Sequence, residues 1–158
     1  MKKDRDKYNL LMVPIVINTI IFLFLSILHF YWSFGGTLWY EDVLPTNSRG
    51  TNKLNPGKMA SLMVSVGLLV FAFITIANRG FFDKYLNRKY FRYGALAIAF
   101  IFLLRAIGDF KFVGFIKTVD KTRFAMNDTM FFSPLCLFIS LLSFLIFILN
   151  RNKLYRNL

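Results

Sequence analysis

Long apolar runs, interrupted abruptly by charged residues, organise this chain. Leu10 to Trp32, Met59 to Asn78 and Met130 to Asn150 contain no Asp, Glu, Lys or Arg. Crossing the hydrocarbon core of a bilayer takes roughly 20 residues of α-helix at about 1.5 Å each, so each run predicts a transmembrane helix. Another run, from Phe91 or Tyr93 to about Gly108, is shorter and takes in Arg105 near its end. The pattern predicts an all-α integral membrane four-helix bundle, one domain over residues 1–158, with helices over approximately 10–32, 59–78, 91–108 and 130–150.

Polar positions within the runs fall into stripes. At about 100° per residue, Asn18, Ser26, His29 and Ser33 lie within about an 80° arc of the first helix. Ser61, Ser65, Ala72 and Thr75 line one face of the second, and Ser133, Cys136, Ser140 and Ser143 one face of the last. Small and hydroxyl-bearing residues at such spacing allow close approach and interhelical hydrogen bonds. The stripes predict packing surfaces first, and a solvated pathway second.

Composition changes this picture little. Hydrophobic residues make up 56%, and the mean hydropathy is +0.52. The formal charge of +12 would direct a soluble protein towards nucleic acid. Here the Lys and Arg residues sit in tails and loops beside the apolar runs, and no DNA- or RNA-recognition motif accompanies them. No nucleic-acid partner is expected. The expected partner is the lipid bilayer, including anionic lipids attracted at about 1 kcal/mol per surface Lys or Arg; the sequence specifies no protein partner.

The distribution of these charges orients the bundle. Twelve Lys and Arg residues fall in the two tails and the second loop, and eight in the first and third loops. The positive-inside rule therefore places both termini in the cytoplasm and two loops on the outer face of the plasma membrane. The basic start Met1 to Lys7 resembles a signal n-region. The run after it is too long for a signal h-region and ends in His29-Phe30-Tyr31-Trp32 with no small-residue cleavage site, so it reads as an uncleaved first helix. Cys136 is the one cysteine, which excludes an intramolecular disulfide.

The outer loops differ in kind. The first, from about Ser33 to Gly57, is rich in turn formers, and Asn55-Pro56 reads as an N-cap followed by proline at the first helical position. The segment from about Gly108 to Thr129 interleaves Phe110, Phe112, Val113, Phe115 and Ile116 with Lys111 and Lys117. That mixture suits a stretch lying in the interface or folded back over the bundle.

Three features could carry chemistry, all on the outer half. His29 is the lone histidine, near the end of its helix and followed by Trp32 and Trp39. It suits proton transfer or ligand binding, or else a hydrogen bond to a neighbouring helix beside an aromatic belt. Arg105 and Asp109, four apart, would share a helix face and pair, and an ionisable residue at the end of a span is a functional hypothesis by default. Lys117, Asp128 and Ser133-Pro134-Leu135-Cys136 form the third feature. Asn127 or Asp128 is expected to cap the last helix, with Pro134 in its first turns. The spacings match no zinc motif, Cys–His pair, nucleophile elbow, P-loop or dinucleotide fingerprint. No cofactor, metal or catalytic residue is assigned, and the balance leans away from an enzyme.

These residues also carry a resemblance. The block His29-Phe30-Tyr31-Trp32-Ser33-Phe34-Gly35-Gly36 is followed by Trp39 and Pro45. Farther along come Leu104-Arg105-Ala106-Ile107-Gly108-Asp109, Val113-Gly114-Phe115, Lys117, Phe124-Ala125, Asp128 and Ser133-Pro134-Leu135-Cys136. In these the chain resembles the small bacterial membrane proteins catalogued as domain of unknown function 3995. The resemblance implies four transmembrane helices and no particular activity. Residues 46–55 look like an insertion in the first loop.

The functional expectation is a small-molecule or lipid site opening to the outer face, lined by His29, Trp32, Trp39, Arg105, Asp109, Lys117 and Asp128. A transport or accessory role would follow from such a site. Two other classes stay open: an intramembrane isomerase or hydrolase using His29 and a carboxylate, and a purely structural or interaction protein.

Overall fold

The computed structural model describes residues 2–44, 57–109, 111–119 and 121–150. The expected Asn55-Pro56 cap, the insertion at 46–55, Pro45, Phe110 and the basic C-terminal tail lie outside the described residues. Four helices are long and apolar enough to cross a membrane. We label them α1 (Lys2–Ser33), α2 (Gly57–Ala77), α3 (Arg88–Ile107) and α4 (Arg123–Leu149). Among the described residues there is no strand.

The helices extend beyond the apolar runs at several ends. α1 starts at Lys2 rather than Leu10, because i→i−4 hydrogen bonding continues outside the hydrocarbon layer. α3 starts at Arg88, where the Asn87 side chain accepts the Lys89 N–H at 2.9 Å. α4 starts at Arg123, seven residues before Met130. Its cap is Thr122, whose hydroxyl accepts the Ala125 N–H at 3.1 Å, and not Asn127 or Asp128 as expected. The sequence placed the helix start where hydrophobicity begins, whereas Thr122 starts it in the polar stretch before.

A π-helical turn, Asp128–Phe132, interrupts α4, with the Ser133 N–H donating to the Asp128 carbonyl. Pro134 falls in the first turn of the α-helical stretch Ser133–Leu149, as expected, although α4 as a whole begins at Arg123. Proline there removes the donor to the carbonyl four residues back, and the widened turn lies immediately before that gap.

The stripes predicted for packing do pack. The hydroxyls of Ser26 and Ser65 each donate to the other's carbonyl at 2.9 Å, tying α1 to α2. Asn18 donates to the Ser143 hydroxyl at 2.9 Å across α1 and α4, and Ser140 donates to the Ala99 carbonyl at 2.8 Å across α4 and α3. Between these bonds lie Phe22, Leu68, Ala72, Ile98 and Ile139, with Phe22, Phe71 and Phe102 in mutual ring contact. The outside carries the large apolar residues, among them Ile20, Ile27, Met63, Phe100 and Leu141. Polar side chains inside and exposed aliphatics outside suit a lipid solvent, where helix association depends on close packing and interhelical hydrogen bonds.

One end of the bundle is closed by amides. Asn78 donates to the Ile74 and Phe91 carbonyls, and Asn150 donates to the Asn78 side chain at 2.8 Å. The opposite end gathers both remaining loops. Arg123 at the start of α4 pairs with Asp42 in the first loop at 2.8 Å, and Asn127 donates to the Asp42 carbonyl.

Candidate functional site

At that second end, the segment after α3 turns back onto the helix it has just left. Gly108 and Gly114 adopt φ of 101° and 90°, a region that favours glycine. The Phe115 and Ile116 N–H groups then reach the Ala106 and Ile107 carbonyls at 2.9 and 3.2 Å. Those carbonyls belong to the last turn of α3 and would otherwise lack partners. The fold-back expected as one reading of this stretch is thus present at the end of α3.

Asp109 holds the fold-back's first turn. Its Oδ1 accepts the N–H groups of Lys111, Phe112 and Val113 at 3.0, 2.7 and 2.9 Å. It does not pair with Arg105, as the i, i+4 spacing had suggested, because α3 ends at Ile107 and the backbone diverges there. Burial pushes this carboxyl up, but the three N–H donors outweigh it and hold it below the ordinary value of 3.8. A carboxyl depressed in the folded state contributes stability above its unfolded pKa and loses that contribution as pH falls through the folded one. The thermal midpoint in detergent should therefore stay level in this respect from neutral pH to about pH 4 and fall below it. Asp109→Asn should remove that pH dependence while keeping an acceptor for the turn, whereas Asp109→Ala should cost about 1 kcal/mol, the scale of an exposed side-chain cap.

Arg105 pairs with Asp128 instead. The Asp128 carboxylate has no solvent exposure and accepts four hydrogen bonds. Arg105 Nη2 reaches Oδ1 at 2.9 Å; Oδ2 accepts the Gly114 N–H at 2.7 Å, Lys117 Nζ at 2.9 Å and the Ser133 hydroxyl at 3.1 Å. Lys117 gives its other two protons to the Gly114 carbonyl at 3.1 Å and Thr129 Oγ1 at 2.6 Å. Three donors thus meet three acceptors. Arg105 stays unfinished: its Nη1 is shielded from solvent and makes no hydrogen bond.

Beside this cluster lies an open cleft of about 310 Å³ lined by Leu104, Arg105, Gly108, Asp109 and Val113. Another, of about 290 Å³, lies between the first loop and α4 and is lined by Thr37, Trp39, Tyr40, Asp42 and Arg123. The seven expected site residues are therefore divided. Arg105, Lys117 and Asp128 form one bonded cluster, Asp109 shares its cleft, and Trp39 lines the second cleft with φ of 57°.

His29 and Trp32 stand apart. The His29 ring meets the edge of Trp32 at 4.8 Å, and its Nδ1 has no partner. Trp32 is buried and donates to the Leu38 carbonyl at 2.8 Å, anchoring the start of the first loop. His29 bonds to none of Arg105, Asp109, Lys117 and Asp128. Among the described residues, no three of His, Cys, Asp and Glu gather as a metal site. The sequence reading missed Gly114, Thr129 and Ser133 as partners of the cluster. The glycines at 108 and 114, flanking an apolar stretch just after an arginine-bearing helix end, were the available signal.

Four helices long and apolar enough to cross a membrane, with a buried ion cluster at one end, suggest an α-helical membrane protein. The chain belongs to the family described as protein of unknown function (DUF3995), whose model matches residues 22–143. His29, the Arg105–Asp109 segment, Lys117 and Asp128 all fall inside that match. Searches of curated proteins and of solved structures find no match.

Proposed function

We propose that the chain passes four times through the plasma membrane with both termini in the cytoplasm, and binds a small molecule or lipid in the cleft beside Arg105. The excess of Lys and Arg in the tails and second loop supports this orientation, which puts the cleft on the outer face. A transport or accessory role for a partner membrane protein follows from the binding. The observation that carries the reading is Arg105. Asp128 holds its guanidinium on the wall of an open cleft, and the Arg105 side chain stays 36% exposed. A charge-assisted hydrogen bond from that exposed side chain to a bound acceptor is worth about 1.5–3 kcal/mol.

Arg105→Gln tests the reading, because Asp128 keeps Lys117, Gly114 and Ser133 and the bundle should still fold. Delipidated protein is given a total membrane lipid extract or the small-molecule fraction of the source cells, and retained species are weighed by native mass spectrometry. The parent should retain a defined species, and Arg105→Gln should lose affinity roughly ten- to a hundredfold, the scale of a charge-assisted hydrogen bond. Equal retention by both proteins would refute it.

A further inference from the structure

We infer that the cleft at the end of α3 takes a zwitterionic lipid headgroup joining a phosphate to a primary ammonium, as phosphatidylethanolamine presents it. The inference rests on reading this cleft as the binding site, and names its ligand class.

Two opposite charges line the cleft without bonding to each other. Each is committed elsewhere: Arg105 to Asp128, and Asp109 to three backbone N–H groups. Neither can swing across to neutralise its neighbour without abandoning those bonds. Opposite charges held apart on one wall complement a ligand that carries both signs. In the cleft lining itself Arg105 faces one carboxylate, Asp109, while Lys117 is answered by Asp128 and the Lys111 ammonium lies over the Phe112 ring. A simple anion would gain from Arg105 and be opposed by Asp109, and a simple cation would meet the reverse. A zwitterion satisfies both.

The lining separates the two common zwitterionic headgroups. A quaternary ammonium is recognised by aromatic faces, and none of Leu104, Arg105, Gly108, Asp109 and Val113 supplies one. A primary ammonium needs hydrogen-bond acceptors, and Asp109 brings a carboxylate whose Oδ1 alone carries the backbone bonds. The phosphate falls to the part-exposed Arg105 side chain, whose positive charge suits phosphate oxygens.

Two observations favour a lipid over a free zwitterion. α3 ends as a membrane-crossing helix at Ile107, so Arg105 and Asp109 lie at the depth where headgroups begin. Leu104, in the cleft wall, is 65% exposed, and Ile107, Phe115 and Ile116 beside it are exposed too, giving acyl chains an apolar surface. A volume of about 310 Å³ suits a headgroup rather than a whole lipid.

The test offers delipidated full-length chain, in mild detergent, phosphatidylethanolamine, phosphatidylcholine or phosphatidylglycerol of matched acyl chains, with occupancy read by native mass spectrometry. Phosphatidylethanolamine should be retained at least tenfold better than either alternative. Asp109→Asn keeps an acceptor oxygen for the 111–113 turn and should shift the preference towards phosphatidylglycerol, whereas Arg105→Gln should weaken both. An Arg105-dependent preference of the parent for phosphatidylglycerol or phosphatidylcholine would overturn the ligand class and leave the binding site standing. Occupancy indifferent to Arg105→Gln with every lipid and with free phosphoethanolamine would overturn both. Displacement of the lipid by an equal concentration of free phosphoethanolamine would overturn the lipid assignment.

Discussion

Asp128→Ala should destabilise the folded bundle by about 3–5 kcal/mol, the scale of removing one partner from a buried ion pair. The loss is large because one carboxylate answers four donors, and two of them carry charge. Without it Lys117, whose side chain is 4% exposed, keeps only Gly114 O and Thr129 Oγ1 for its ammonium among the described residues, and among them no other carboxylate pairs with it. The Gly114 N–H and the Ser133 hydroxyl lose their acceptor at the same time. Desolvating a charge is costly unless it is paired, so the penalty comes chiefly from the stranded cations. That argument predicts a rescue. Asp128→Asn combined with Lys117→Met removes one buried cation together with the anion and should recover part of the loss seen in Asp128→Asn alone. Denaturant titrations in detergent, followed by tryptophan fluorescence, would measure each variant. An Asp128→Ala protein as stable as the parent would refute the cluster as the anchor of this end.

Gly114→Ala should cost about 3 kcal/mol, combining backbone strain of about 1–3 kcal/mol with weakening of a hydrogen bond to a charged group. At φ of 90° an added Cβ would run into both the Gly108 Cα and the Ile107 carbonyl oxygen. Those obstacles are backbone atoms and cannot turn aside as a flexible side chain would. Relief requires the fold-back to lift from α3, which pulls the Gly114 N–H from Asp128 and exposes the Ala106 and Ile107 carbonyls. Hydrogen exchange should therefore accelerate at Gly114, Phe115 and Ile116 while the helix centres stay protected. Gly67→Ala is the comparison. Its Cβ would meet nothing within 4 Å, and alanine in a helix is favoured over glycine by about 0.5–1 kcal/mol. A Gly114→Ala protein that matched Gly67→Ala in stability and exchange would refute the close approach.

The contrast between Asp109 and Asp128 shows what spacing conveys and where it stops. Four residues separate Arg105 from Asp109, and on a continuing helix that is a pairing distance. The helix ends between them, and the actual partner, Asp128, arrives from another helix after a fold-back. Asp128 was read as a cap because it stands just before an apolar run, and local sequence offers no sign that Thr122 has already started the helix. The hydroxyl stripes were legible for the opposite reason. A stripe at helical period must face something, and the other helices were the surfaces available to Ser26, Ser65, Ser140 and Asn18.

The sequence by itself determined that four helices are long and apolar enough to cross a membrane, which of their faces meet, and that the end of α3 is its compromised point. Those properties follow from hydrophobicity and period, which act residue by residue along one helix. Only the tertiary structure decided that Arg105 and Lys117 share Asp128, that Asp109 serves a turn, and that His29 stays outside the cluster. Ion pairing depends on where chain segments distant in sequence are brought together, and that depends on turns such as Gly108 to Gly114, whose backbone geometry no periodicity records.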